Sequence, residues 1–395
     1  MSLIVQKYGG TSVGSIERIR TVASHIAATA RAGHRVVAVV SAMGDHTDEL
    51  LTLARELNPH PPQREVDMLI SVGERITMAL LSIALQGSGL DALSLTGSQS
   101  GILTDEVHGN ARIMKILGDR IRKGLDDSQI VIIAGFQGMS ANSKEITTLG
   151  RGGTDLTAIA VAHTLAADLC EIYKDVDGVF TTDPRLVPEA RVLETMSWDA
   201  LLEMSWAGSA VVHSRGAHLA HKFGMPLTIR SSFDWTKPGT RVTGRYGMET
   251  ISVTGLAHKN GQCWMDLTAH VANAVPLALK WFWEHGETPS LCQQTRMGND
   301  GTVSLRVVCS EERCHELLAF LGKHGEVRLD HERRGLAAIT VVGTGFWQSP
   351  ETVTRIIETL GEPPELFDSR NTAVTLCVPT ARLKGTLSQL HAELF

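Results

Sequence analysis

ITTLGRGGTDLTAIAVA, residues 146–162, decides how this chain is read. An apolar, Thr-bearing strand runs into Gly150-Arg151-Gly152-Gly153. Thr154 and Asp155 follow at once, and the apolar run Leu156 to Ala166 begins a buried helix. Glycines ahead of a helix let the backbone approach an anion closely. The helix N-terminus adds free N–H groups and a partial positive charge. One short segment therefore offers an anion cradle, a guanidinium, a hydroxyl and a carboxylate. A plain Gly-rich turn has the same look, so the reading depends on what the rest of the chain places around it.

The N-terminus supplies a second edge of this kind. Leu3 to Tyr8 reads as a strand ending in Gly9-Gly10-Thr11-Ser12. A helix follows, with Ile16, Ile19, Val22, Ala23, Ile26 and Ala27 at three- and four-residue steps and a stop at Gly33. Val36 to Val40 is apolar on both faces, as in a parallel sheet covered by helices. This β-loop-α-β pattern sets Lys7 and two glycines at a strand's carboxyl end, where open α/β sheets bind ligands. There is no GxxxxGK[ST], so this is not a Walker A loop. A lysine between a buried strand and a double glycine suits a phosphate better than a solvated surface. Further strands are predicted within 91–104 and at 130–134, 169–173 and 227–230. The helical run 66–85 carries Glu74, and a charge there ordinarily faces water. Lys174 to Arg185 is a polar loop after a strand, suited to a nucleotide or to plain turns. Lys237-Pro238-Gly239-Thr240 reads as a boundary.

Beyond residue 250 the rhythm changes. Strands are predicted at 250–256, 264–268, 302–308, 338–342 and 372–378, and helices at 275–285, 311–323, 350–360 and 381–395. This implies two α+β units with helices on one face. Trp281, Phe282 and Trp283 read as core packing plus a dimer surface.

At 395 residues the chain can fill two or three domains. It is 43% hydrophobic and 20% charged, with a formal charge of -6, which argues against a nucleic-acid surface. The six cysteines lie at 170, 263, 292, 309, 314 and 377, with no CxxC spacing, and read as reduced thiols in a cytoplasmic protein. The histidines show no HxxxH pair, so no structural metal site is expected. No signal-peptide pattern opens the sequence, and no run looks long enough for a membrane span.

Eight motifs, in order, are similar to those of the aspartate kinases, members of the amino-acid kinase family. They are KYGGTSVGS (7–15), SAMGDHTDEL (41–50), REVDMLISVGER (64–75), HGNARI (108–113), AGFQG (134–138), TTLGRGGTDLTA (147–158), EIYKDVDGVFTTDPRLVPEARVL (171–193) and PLTIRSSF (226–233). The resemblance implies an amino-acid-kinase fold with a mostly parallel central sheet over residues 1–240. Paired α+β ACT-like domains would follow over 250–395, the first spanning about 263–335 and the second built from 250–258 with 336–395. It implies phosphorylation of the L-aspartate side chain by MgATP, the first step of the aspartate-family amino-acid pathway.

The resemblance also implies roles. Lys7, with Gly9 and Gly10, would neutralise the transferring phosphoryl group, and Asp155 would organise the lysine and the loop. Arg151 would clamp a substrate carboxylate, and Ser41, Thr47, Glu74, Gly152, Gly153 and Thr154 would line the amino-acid site, with Glu74 pairing the ammonium. Lys174, Asp175, Phe180, Asp183 and Arg185 would hold ATP, with Mg2+ carried mainly by the phosphates. Gln293, Gln294 and Thr295 would mark a weakened amino-acid effector site, and the ACT-like half would form a homodimer or larger oligomer. Three departures from the family stand out: Thr154 for the usual serine, Gly97-Ser98-Gln99-Ser100-Gly101 without the usual tryptophan, and Ala210 where a lysine near ATP is usual. Two other readings stay open on these residues: a kinase for a modified acidic amino acid, and a catalytically weak regulatory homologue.

Overall fold

The computed structural model describes residues 1–209, 211–244, 252–270, 273–298 and 301–395. Ala210, Thr250 and Ile251 lie outside the described residues. The chain forms two units. The first holds described residues of 1–179, 192–201 and 211–244; the second holds those of 180–191, 202–209 and 252–395.

In the first unit β1 (Leu3–Tyr8), α1 (Ile16–Arg31) and β2 (Arg35–Val40) open the chain, followed by α2 (His46–Leu57), α3 (Gln63–Ile70) and α4 (Val72–Gly87). Next come β3 (Ala92–Leu95), β4 (Ile102–Thr104), β5 (Ile113–Ile116), α5 (Asp119–Asp126), β6 (Ile130–Ala134), β7 (Gln137–Ser140) and β8 (Ile146–Thr148). Then α6 (Gly153–Thr164), β9 (Leu169–Lys174), β10 (Thr195–Ser197), α7 (Trp198–Trp206, counted with the second unit from residue 202), α8 (Ser214–Phe223), β11 (Leu227–Ser231) and β12 (Thr240–Thr243) follow. The main sheet runs β10-β12-β11-β9-β1-β2-β6-β3, and only the β11–β12 pair is antiparallel. A smaller sheet, β5-β4-β7-β8, carries the chain up to the loop at 149–153.

Sequence explains the helices that cover the main sheet. Ser15 caps α1 by accepting from the Arg18 N–H, and Ile19, Val22, Ala23, Ile26 and Ala27 form its buried stripe. That stripe meets Leu81 and Leu85 of α4 and Val36, Val40 and Ile132 of the sheet. Each fully buried aliphatic side chain there contributes roughly 1.5–3 kcal/mol. Residues Gln63–Gly87 are, by length and composition, long and apolar enough to cross a membrane, contrary to the expectation of no such run. The most apolar part of this segment is half buried in the fold, and its Val66, Ile70, Leu81 and Leu85 lie in the core. The apolarity serves the sheet.

The second unit contains β13 (Ser252–His270), α9 (Ala274–Glu284), β14 (Leu291–Met297), β15 (Val303–Ser310), α10 (Cys314–Gly322), β16 (Glu326–Thr344), α11 (Pro350–Thr359), β17 (Leu366–Ser369), β18 (Ala373–Pro379) and α12 (Leu383–Leu394). Its sheet runs β14-β15-β13-β16-β18-β17. The strands expected at 250–256 and 264–268 are one strand, β13. Register shifts around Gln262 carry the ladder past Gly261, whose φ is +60°, without breaking it. The first part of β13 pairs with Ala338–Thr344 of β16, and the later part lies between β15 and the start of β16. Trp281 and Phe282, read from the sequence as core packing plus a dimer surface, are 2% and 1% exposed within this unit. They close the core formed by α9, α10, β13 and β15, and only Trp283 reaches solvent.

Candidate functional site

Parallel pairing of β1 with β9 sets Lys7 beside Ile172 and brings Lys174 to the same sheet edge, where α6 begins. Asp155, in the first turn of α6, receives both lysines. Lys7 Nζ lies 2.7 Å from Oδ1 and Lys174 Nζ lies 3.1 Å from Oδ2. The Lys7 approach is off the hydrogen-bond direction, so Oδ1 has an ion-pair partner but no aligned donor among the described residues. Burial alone would push the Asp155 carboxyl up, but the Lys174 and Lys7 charges overcome it and hold the group well below the usual carboxylate range. Burial pushes the Lys7 ammonium down to about 8. The Asp155 charge resists that drop and the Lys174 charge adds to it. Two ammonium groups compensated by one carboxylate leave a net positive, largely buried sheet edge. Gly9 and Gly10 adjoin it: a Cβ on Gly9 would stand 3.4 Å from Lys7 Nζ, and one on Gly10 would press on the Gly44 and Ala42 carbonyls at 3.0 and 3.1 Å.

A second cluster lies where β2 ends. Ser41 Oγ donates to Thr154 Oγ1 at 3.0 Å. The Thr154 methyl faces Gly135, where a Cβ would meet Cγ2 at 2.6 Å, so the methyl that departs from the family's serine is accommodated by a glycine. Glu74 is 3% exposed rather than facing water. Its Oε1 accepts from the Ala42 N–H at 3.0 Å, while Oε2 is buried with no hydrogen-bond partner among the described residues. Burial pushes this carboxyl up to about 7 against the pull of its backbone donors. A buried carboxylate oxygen without a donor is costly unless something supplies one.

The 149–153 loop is fixed by backbone geometry. Gly150 and Gly152 have φ of +74° and +71°. A Cβ on Gly152 would also overlap His213 at 2.1 Å, so glycine is required there twice over. Arg151 is exposed and makes no ion pair among the described residues. Gly153 opens α6, and Thr47 is the second residue of α2, half-buried.

Sequence reasoning missed the residues that hold this loop. Asp67, on α3, is fully buried. It accepts from Thr148 Oγ1 at 2.6 Å, from the Gly109 and Thr148 N–H groups at 3.1 Å, and has His108 Nδ1 at 2.7 Å. Arg215, on α8, donates to Asn110 Oδ1 and the Ala111 carbonyl at 2.8 Å, and to the Leu149 carbonyl. Asp67 lies inside REVDMLISVGER, and that motif was its only signal. Arg215 belongs to none of the eight motifs.

The residues expected at the nucleotide divide. Lys174 joins Asp155, and Asp175 follows it, exposed. Phe180, Asp183 and Arg185 belong to the second unit, where the Arg185 guanidinium grips Asp183 at 3.0 and 2.8 Å. Gln293, Gln294 and Thr295 lie exposed on β14, an edge strand with an irregularity between Gln294 and Arg296.

These features can be set beside known proteins. Residues 2–231 match the Amino acid kinase family, which gives the class. An aspartokinase of Mycolicibacterium smegmatis is 40% identical over 408 residues, covering 99% of this chain and 96% of its own length. An aspartokinase of Geobacillus stearothermophilus is 42% identical over 365 residues, covering 92% of this chain and 89% of that one. The chain belongs to the aspartokinases of the amino acid kinase family. The crystal structure of E. coli aspartokinase III in complex with aspartate and ADP, in its R-state, shares the fold with a TM-score of 0.82 at 22% identity, over 100% of both chains.

Proposed function

We propose that this chain transfers the γ-phosphoryl group of ATP to the side-chain carboxylate of L-aspartate, giving 4-phospho-L-aspartate and ADP. The observation that carries this reading is the Lys7–Asp155–Lys174 cluster at the end of β1 and β9. Lys7 and Lys174 supply positive charge for the phosphates, and the Gly9 and Gly10 backbone lets them come close. Asp155 holds both ammonium groups apart and in place, so Lys7 is a catalytic residue and Asp155 a positioning one.

On the acceptor side, Glu74 Oε2 has no donor of its own, and a substrate ammonium provides one. Arg151 takes a carboxylate in the fork geometry that lysine lacks. Ser41, Thr47, Thr154, Gly152 and Gly153 line the rest. A side-chain oxygen of aspartate forms the new bond to phosphorus, and the bond to the bridging oxygen of ADP breaks with its electron pair. The attacking carboxylate is already ionised, so no general base takes part, and catalysis is positioning and charge neutralisation. Asp155 has both oxygens on lysines, which suits a polyphosphate that brings its own Mg2+ better than a protein-held ion. When bound, Mg2+ supplies further neutralisation of the phosphates. Asp175, Phe180, Asp183 and Arg185 complete our assignment of the nucleotide contacts.

We assign the described residues of 252–395 a regulatory and assembly role as paired ACT-like domains. Gln293, Gln294 and Thr295 are its weak effector contacts, and the oligomer is at least a homodimer. The free state of all six cysteines supports a reducing, cytoplasmic setting. An ADP-release assay with aspartate, glutamate and N-acetylaspartate tests the main reading. Turnover should require the free ammonium that Glu74 lacks. No aspartate-dependent ADP would end the proposal, and preference for the N-acetylated substrate would favour the kinase for modified acidic amino acids.

A further inference from the structure

Three thiols that the sequence scatters meet in the second unit. Cys263 and Cys309 are direct cross-strand partners on β13 and β15. Cys314 opens α10, and its Sγ lies 3.9 Å from that of Cys309. Cys263 Sγ lies 3.7 Å from Glu332 Oε1 on β16, and the donor atoms of Cys263, Cys314 and Glu332 are all within 4.8 Å of one another. All three thiols are free and at most 1% exposed. For metal–sulfur bonds of ~2.3 Å, the edge of a coordination tetrahedron is about 3.8 Å. The Cys309–Cys314 and Cys263–Glu332 spacings, 3.9 and 3.7 Å, fall close to that edge.

Apolar packing explains three buried thiols, but it does not explain a carboxylate turned onto one of them. A cation already stands at the outer side of the cluster. Arg334, 41% exposed at its side chain, donates through Nε to Glu332 at 2.8 Å and lies 2.6 Å from His315 Nε2. The guanidinium thus shares the carboxylate oxygen that faces Cys263.

We propose that Cys263, Cys314 and Glu332 form a binding site for a thiophilic divalent cation of the zinc type, with Arg334 holding its mouth when no metal is bound. Two sulfurs and one carboxylate oxygen are a three-ligand set for such an ion, with the fourth position open to the neighbouring Cys309 thiol or to water, and thiolate ligands select it over Mg2+ or Ca2+. Each ligating thiol gives its proton to solvent, and Arg334 swings out as its carboxylate is taken. The site belongs to the second unit, shares no residue with the strand-end cluster, and does not depend on the kinase assignment.

The test uses the full chain, reduced and stripped with a chelator, then titrated with Co2+. A sulfur-to-cobalt charge-transfer band and the visible bands of tetrahedral Co2+ should saturate at one ion per chain and vanish on adding Zn2+. Cys314→Ser should lower the charge-transfer intensity per bound ion and weaken Co2+ binding by roughly 10-fold or more. Glu332→Gln, at a partly exposed side chain that does not endanger the fold, should weaken binding roughly 10-fold or more. Arg334→Ala should tighten it, because a competing cation is gone. Cys292→Ser should change nothing. The absence of a charge-transfer band in the wild-type chain overturns the proposal. So does a band that survives Cys314→Ser, Glu332→Gln and Arg334→Ala with unchanged affinity.

Discussion

Glu74 and Lys7 are each displaced toward neutrality by burial, the carboxyl up to about 7 and the ammonium down to about 8. The proposed roles need Glu74 ionised and Lys7 protonated. The pH profile of kcat/KM should therefore be a bell with its rising limb near 7 and its falling limb near 8. Glu74→Gln should remove the rising limb and raise the KM for aspartate by about 10-fold or more, with little change for ATP. A rising limb left in place by that change would assign it to another group. Stability carries the same signature. The folded pKa of Glu74 lies above its ordinary value of 4.5, so the native state holds the extra proton between the two. That stabilisation is full below the ordinary value and is lost as pH rises through about 7. Urea unfolding between about pH 5 and pH 8 should show the wild type losing ~1–3 kcal/mol relative to Glu74→Gln. Lys7→Ala leaves Asp155 still paired with Lys174, so the fold should persist while kcat falls by roughly 100–1000-fold. Wild-type turnover in a folded Lys7→Ala chain, checked by circular dichroism, would remove Lys7 from the mechanism.

Elements meet the site through Asp67. This one carboxylate ties α3 to the end of β8 and to the 108–109 loop, and β8 leads directly into Leu149-Gly150-Arg151. Asp67→Asn replaces an acceptor oxygen by an NH2 that faces donors already present. It should cost about 1–3 kcal/mol of stability. It should also raise the KM for aspartate more than that for ATP, because the loop carrying Arg151 loses its anchor. Urea unfolding with steady-state kinetics on the same sample checks both, and an unchanged midpoint would show that the loop does not need this carboxylate. Helical spacing could place Asp67 only on a turn of α3. Its burial comes from β8 arriving against that turn, which no local pattern records. The polar edge strand β14 was unreadable for a related reason: LCQQTRM lacks the apolar alternation of an inner strand because one ladder edge is unpaired.

Across the whole molecule, the segment 180–191 matters most. It carries Phe180, Asp183 and Arg185, and the second unit builds it in. Val187 lies in the core with Leu256, Ile339, Val374 and Leu387. Thr181 Oγ1 is 2.9 Å from His391 Nε2, and Arg191 donates to the Phe395 carbonyl at 2.6 Å. A chain ending at residue 244 therefore lacks the strands and the helix α12 that hold this segment. The amides of 180–191 should exchange with solvent far faster than in the full chain. Unchanged protection in the shortened chain would show that the segment stands without the second unit.

The sequence alone determined what is local. Apolar spacing gave the helix at 16–31, the both-face apolar strands gave a parallel sheet, and the glycines of 150–153 marked the turn into α6. The ordered motifs placed the chain among the aspartate kinases. Tertiary structure alone decided which lysines share Asp155, that Glu74 is buried with a free oxygen, that Trp281 and Phe282 are already covered, that 180–191 belongs to the second unit, and that Cys263 meets Cys309 and Cys314. Periodicity reports which face of an element is apolar, and that is a property of a few neighbouring residues. Burial, ion pairing and the displacement of a pKa depend on which other element packs there, and only the folded chain settles that.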